Sequence, residues 1–146
     1  MKRTLLIGYG NTLRSDDGVG VRAAEALARS LPDAHLELRH ELQLELAATI
    51  AQFDDVFFLD ASGTGEREVR ATPLVPEQHA WNTGSHTCSP GTLLALCASL
   101  YGRVPGRATL VTIPAENFAF GEELSMLSRE KLTECIELVQ AMAGNL

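Results

Sequence analysis

The sequence predicts an α/β fold, in which a twisted, mainly parallel sheet is flanked by helices on both faces. Short apolar or alternating segments with the pattern of strands are interleaved along the chain with segments of helical periodicity. Strands that alternate with helices are typical of βαβ units, whose crossover helices cover a parallel sheet. No internal repeat, linker or low-complexity segment interrupts this order, so residues 1–146 are predicted to form a single three-layer domain.

The first half of the chain predicts two strand–helix units. Residues 4–9 form a continuous apolar run, typical of a strand buried on both faces. Residues 18–31 predict a helix, because every fourth residue from Val19 is apolar and the opposite face is charged. Residues 35–39 alternate like a strand with one wetter face, and residues 42–53 repeat apolar positions at helical spacing.

The second half continues the alternation. Residues 55–60 are an apolar strand that ends at Asp60, before a glycine-rich turn. Glycine or proline stops the next helix and the next strand, and a serine can cap the last helix. We therefore expect an exposed edge strand at 66–73, a loop at 76–84, an apolar helix at 93–101, a buried strand at 108–113, and a final helix that begins at Ser125 or Ser128 and ends at Gly144.

Composition and charge exclude several classes of protein. The chain has 12 Lys and Arg against 19 Asp and Glu, a net charge of −7, and no basic run that could bind nucleic acid phosphates. The first apolar run is too short for a signal peptide, and no run approaches the ~18 apolar residues of a membrane span. These features predict a cytoplasmic protein. The three cysteines are widely spaced with no CxxC, so no disulfide framework is expected.

Acidic and imidazole side chains follow several of the predicted elements at one edge of the sheet. Asp16 and Asp17 come after the first strand, Asp60 ends the third, and His86 lies in a polar loop before an apolar helix. Ligands of open parallel sheets bind beyond the carboxyl ends of the strands. Two carboxylates and an imidazole there are suitable ligands for a divalent metal such as zinc, nickel or manganese.

Simpler interpretations of the same residues stay open. An aspartate before a helix can cap it, an aspartate at a strand end can begin a turn, and a loop histidine can be a plain surface residue. The turn Gly8-x-Gly10 also resembles the start of the Gly-x-Gly-x-x-Gly motif that binds dinucleotides. Leu13 stands where that motif requires its third glycine. A peptidyl-tRNA hydrolase begins with a similar turn, but its Pro-Gly and His-Asn pairs are absent here.

The residues from Ile7 to Gly20 resemble the N-terminal signature of the hydrogenase maturation proteases. That signature is Gly-x-Gly-Asn-x-Leu-x-x-Asp-(Asp/Glu)-Gly-x-Gly, and the chain fits each fixed position from Gly8 onward. Leu59-Asp60-Ala61 and Ser85-His86 lie, in order, where the family has its strand-end Asp and its Ser-His or Pro-His pair. The resemblance extends from Leu5 to the last helix.

The resemblance implies an endopeptidase that removes the C-terminal extension from the large-subunit precursor of a [NiFe] hydrogenase. It implies that Asp17, Asp60 and His86 bind a metal and act in catalysis through it. This metal is the nickel already loaded into the substrate, so no permanent cofactor is expected. Gly8, Gly10, Asn11 and Asp16 are expected to form the turn, cap the helix or position the substrate. The implied partner is the precursor, with neither nucleic acid nor membrane.

Two departures and several alternatives accompany this prediction. Many members have Glu where this chain has Asp17, and many have a Gly-Thr-x-Gly-like turn where residues 39–44 stand.

The carboxylates could instead form an aspartic-type pair. Ser85 with His86 is a weak nucleophile–base alternative. A non-cleaving, metal-dependent chaperone for the precursor would need the same ligands. Three aromatic residues could line a partner-docking surface or simply pack beneath a loop: Trp81, Phe118 and Phe120.

Overall fold

A computed structural model describes residues 2–77 and 88–144 of the chain. The segment 78–87 lies outside the described residues. It includes Trp81, His86 and most of the predicted loop at 76–84. The predicted α/β fold is confirmed. A five-stranded, mainly parallel sheet carries helices on both faces.

The sheet has four parallel strands and one antiparallel edge strand. Its strands are β1 (Thr4–Tyr9), β2 (His35–Arg39), β3 (Asp55–Ser62), β4 (Arg70–Pro73) and β5 (Arg107–Pro114). Their spatial order is β2-β1-β3-β5-β4, with β4 antiparallel to β5. The central strands β1 and β3 are paired on both sides, which explains their continuous apolar sequences. The carboxyl ends of four strands therefore meet at one edge.

Two helices pack on each face of this sheet. The chain forms a short 3₁₀ turn at Ser15–Gly18 and then α1 (Val19–Ser30), α2 (Leu46–Ile50), α3 (Pro90–Tyr101) and α4 (Met126–Gly144). One buried cluster joins α2 and α3 to side chains such as Ile7 and Phe58. The other joins α1 and α4 to side chains such as Leu6 and Phe57. Successive residues of β1 and β3 thus enter opposite cores, as strand geometry requires.

Several predicted boundaries were wrong. The third strand does not end at Asp60, because Ala61 and Ser62 continue its pairing with β5. The helix predicted at 42–53 forms only at Leu46–Ile50. The edge strand is restricted to Arg70–Pro73. The apolar helix predicted to begin at residue 93 begins instead at Pro90, since Ser89 caps it by accepting a hydrogen bond from the Thr92 N–H at 3.2 Å. No helix among the described residues is long and apolar enough to cross a membrane.

Candidate active site at the carboxyl end of the sheet

The turn after β1 binds the Asp17 side chain through a backbone N–H group of the turn. Gly10 has a φ of +139°, and a Cβ there would lie 2.1 Å from the Asp17 carbonyl oxygen, so the turn requires glycine. The next residue, Asn11, donates its backbone N–H to Asp17 Oδ2 at 2.7 Å. The Asn11 side chain in turn accepts from the Leu13 N–H at 2.9 Å. The carboxylate of Asp17 is therefore oriented by the turn that precedes it.

A second glycine brings this loop against β3. A Cβ on Gly20 would lie 2.2 Å from the Leu59 carbonyl oxygen and 3.0 Å from the Asp60 Cα, so α1 begins in direct contact with the end of that strand. The Asp17 carboxylate lies near enough to the end of this strand to contribute, as the smallest of four causes, to the pKa of Asp60. Two carboxylates from separate elements thus face the same edge of the sheet.

Asp60 lies in an environment that disfavours its charge. Burial, with a smaller contribution from the Asp17 carboxylate, raises the pKa of Asp60 to about 6, although hydrogen bonding from Tyr9 and from the Ala61 N–H opposes the shift. A carboxylate with a raised pKa beside another acidic group is typical of sites that bind a cation or a proton. Either occupant would relieve the repulsion between the two aspartates.

Tyr9 is a neighbour of Asp60 that the sequence analysis did not single out. The register pairs Gly8 with Leu59, so the next residues, Tyr9 and Asp60, lie side by side on the same face of the sheet. Burial, and then the charge of Asp60, raises the pKa of the Tyr9 hydroxyl far above its ordinary value, so that it stays a hydrogen-bond donor. The sequence contains a signal for this contact, because Tyr9 and Asp60 are each the sixth residue of their strands, whose first residues pair with each other.

Asp16 points away from these two aspartates into the protein. It is fully buried, and its carboxylate accepts four hydrogen bonds from the segment before α4. The donors are the backbone N–H groups of Glu116 at 2.9 Å, Asn117 at 3.0 Å and Ser125 at 2.7 Å, and the Ser125 hydroxyl at 2.7 Å. Burial opposes ionisation, but these donors lower the pKa of Asp16 below its ordinary value. Asp16 therefore orders a distant segment and makes no capping bond to α1.

The same segment is joined to the Asp17 loop by its backbone. Ser15 donates its N–H to the Gly121 carbonyl at 2.8 Å, and the Gly121 N–H bonds to the Leu13 carbonyl at 2.9 Å. Ser15 has a φ of +51°, which is unusual for a residue other than glycine and is maintained by these bonds. The two adjacent aspartates thus differ in role: one ties the loop to the segment before α4, and the other faces the sheet edge.

The aromatic residues of this segment are divided between packing and solvent. Phe118 is half-buried, and a Cβ on Gly63 would lie 2.9 Å from its ring, so Phe118 packs over the turn after β3. Phe120 is 86 % exposed, and the Arg14 guanidinium lies 5.5 Å from the centre of its ring. Only Phe120 of this pair is available to a partner.

The predicted third ligand, His86, lies outside the described residues. Within residues 2–77 and 88–144, no group of three His, Cys, Asp or Glu side chains is placed to hold a metal ion. The described part of the site therefore consists of the two carboxylates of Asp17 and Asp60, with Tyr9 beside them. Oxygen donors of this kind can bind a divalent cation only if further ligands complete its coordination.

Comparison with solved structures finds several that share this fold. The [NiFe] hydrogenase maturation protease HycI from Thermococcus kodakarensis KOD1 is 25% identical, with a TM-score of 0.72 over 99% of this chain and 94% of that one. The hydrogenase maturating endopeptidase HybD from E. coli is 20% identical, with a TM-score of 0.69 over 96% of this chain and 91% of that one. A hydrogenase 2 maturation peptidase from Thaumarchaeota archaeon SCGC_AB-539-E09 is 23% identical, with a TM-score of 0.69 over 98% and 99%. No family model and no curated protein sequence matches the chain.

Proposed function

We propose that this chain, which has the fold and the N-terminal signature of the hydrogenase maturation proteases, is an endopeptidase of hydrogenase maturation. The resemblance recognised in the signature is confirmed by structural relatives that cover nearly the whole chain. The proposed reaction is removal of the C-terminal extension from a nickel-loaded large-subunit precursor. The nickel of the substrate is the recognition element, and Asp17, Asp60 and His86 are its ligands from the protease.

One observation carries this proposal beyond the fold. Asp17 and Asp60 come from different elements, but Gly20 sets the start of α1 against the end of β3, and the charge of Asp17 repels that of Asp60, as the smallest of the causes that act on its pKa. Such repulsion costs free energy, which is a recurrent feature of functional sites. A cation carried by the substrate would remove that cost when the substrate binds. The donor set therefore suits a metal that arrives with the substrate.

The chemistry follows from what each group can do at this edge. Bound between the protease and the substrate, the metal would polarise the scissile carbonyl or lower the pKa of a bound water. Asp17, oriented by the Asn11 N–H, and Asp60, beside Tyr9, would hold the tail of the substrate in register. Positioning of this kind contributes to catalysis by removing the need to bring the reacting groups together.

The test compares processing of nickel-loaded and nickel-free precursor by wild type and three variants. We expect Asp17→Ala, Asp60→Ala and His86→Ala to reduce processing of the nickel-loaded precursor by at least ~100-fold, since each removes a ligand. Asp33→Ala is the matched control, because Asp33 is exposed and precedes β2 at the opposite end of the sheet. Processing is measured as the loss of precursor mass by mass spectrometry.

Each outcome of this experiment has a distinct meaning. Wild-type rates in all three variants would overturn the site assignment. Equal cleavage of nickel-loaded and nickel-free precursor would overturn the recognition role of nickel. Binding of the precursor without any change in its mass would replace the protease with a non-cleaving chaperone. The cytoplasmic location stays a prediction from the sequence.

A further inference from the structure

A groove of about 300 Å³ opens beside the Asp17 turn and shares Gly10 and Asn11 with it. It lies between the turn after β1 and the end of β2. Its described lining residues are Gly10, Asn11, Thr12, Leu13, Val21, Leu38, Arg39 and His40.

The groove is joined directly to the carboxylate of Asp17. Its wall includes Asn11, whose N–H donates to Asp17 Oδ2 at 2.7 Å. The opposite wall is fixed to the same turn, because the Gly10 N–H bonds to the Arg39 carbonyl at 3.1 Å. The groove is therefore continuous with the turn that orients the Asp17 carboxylate.

The lining of the groove is apolar in its walls and basic at one end. Leu13 is 57 % exposed and Leu38 is 36 % exposed, so both walls present unburied apolar surface to solvent. Among the described residues that line the groove, none is acidic, although the chain as a whole carries a net charge of −7. The basic residues, Arg39 and His40, lie at the end of β2, and Arg39 forms an ion pair with Glu37 at 2.5 Å.

We propose that this groove is a substrate subsite that takes an apolar side chain of the precursor polypeptide, followed by an acidic residue at the Arg39 end. This rests on the proposed function, because the groove gains its role from its contact with Asp17. Its volume is at the lower end of the ~300–1,000 Å³ of ligand pockets, which suits a short extended segment. A basic segment is disfavoured by the absence of acidic groups from the described lining.

The test replaces the two exposed leucines with glutamate, as Leu13→Glu and Leu38→Glu. Each should raise the KM for nickel-loaded precursor at least tenfold and leave kcat within threefold, because binding is impaired and the reacting groups are untouched. Leu100→Glu is the matched control, since Leu100 is 64 % exposed in α3. Leu13→Met and Leu38→Met should restore the wild-type KM.

A second arm examines the charged end. Arg39→Glu should raise KM more at low salt than at high salt, because exposed charges are screened within about 10 Å at 0.1 M ionic strength. A wild-type KM in both leucine-to-glutamate variants would overturn the subsite while leaving the protease intact. A KM for Arg39→Glu that does not depend on salt would overturn the preference for an acidic residue. Absence of cleavage by wild type would instead overturn the proposed function.

Discussion

Replacement of Asp16 gives the most direct test of how the site loop is held in place. Asp16→Ala removes a fully buried carboxylate that accepts hydrogen bonds from Glu116, Asn117 and Ser125. Asp16→Asn keeps the shape of the side chain but leaves a single acceptor oxygen, and its amide group then faces N–H donors. The first variant removes all four bonds, and the second retains at most those that its one oxygen can accept.

The expected loss of stability follows from the groups left without partners. A fully buried N–H without an acceptor costs about 1–3 kcal/mol, and the alanine variant leaves three part-buried backbone N–H groups without their acceptor. Because water can enter part of the vacated space, we expect a total of about 3–5 kcal/mol for Asp16→Ala and about 2–4 kcal/mol for Asp16→Asn. A protein of 146 residues has about 7–22 kcal/mol in all, so it should still fold.

The assay is urea unfolding followed by circular dichroism at pH 7, with hydrogen exchange as a second measurement. The midpoint should fall for both variants, and amide exchange should accelerate at Glu116, Asn117 and Ser125 before it does in the sheet. Asp33→Asn is the control, because Asp33 is exposed and its replacement should change the free energy of unfolding by less than ~0.5 kcal/mol.

The pH dependence adds an independent constraint. The folded pKa of Asp16 is below its ordinary value of 3.8, so its stabilising effect is complete above that pH and is lost as pH falls through the folded pKa. The difference between wild type and Asp16→Asn should therefore shrink in strongly acidic solution. The explanation is refuted if Asp16→Ala unfolds within ~0.5 kcal/mol of Asp33→Asn at pH 7.

Three further predictions concern Asp60 and the start of α1. Folding raises the pKa of Asp60 from 3.8 to about 6, so the free energy of unfolding falls as pH rises from about 4 to about 6, and this loss is constant at higher pH. Asp60→Asn should therefore increase the free energy of unfolding at pH 8 by about 1–3 kcal/mol while abolishing processing; no gain in thermal stability would contradict this. Wild-type processing should decline about tenfold per pH unit below pH 6, as Asp60 becomes protonated and cannot bind a cation, and a flat rate profile from pH 5 to 7 would exclude that requirement. Gly20→Ala should lower the free energy of unfolding by about 1–3 kcal/mol, because its Cβ would lie 2.2 Å from the Leu59 carbonyl oxygen. Gly144→Ala is the control in the same chemical unfolding experiment, since no atom lies within 4 Å of a Cβ there, and it should stay within ~1 kcal/mol of wild type.

Local patterns were sufficient to locate the described strands and helices along the chain, but not to place all of their ends. β1 and β2 occupy the predicted residues, because a continuous apolar run and a strict alternation each fit only one regular structure here. The helix at 42–53 was predicted too long, since apolar residues at helical spacing can also pack from a turn. Leu42 is buried in the core without being helical. The extension of β3 past Asp60 depends on pairing with β5, which no local pattern reveals.

The sequence by itself determined the α/β class, the edge of the sheet at which function should be sought, and the acidic loop that resembles the hydrogenase maturation proteases. These depend on periodicity and on a local signature, which are properties of short segments. Only the tertiary structure decided what the adjacent aspartates do. Asp16 turns inward to donors that come 100 and 109 residues later, while the Asp17 carboxylate accepts the Asn11 N–H in the turn after β1 and contributes to the pKa of Asp60. Neighbours in the sequence acquire opposite roles because their partners are distant in the chain.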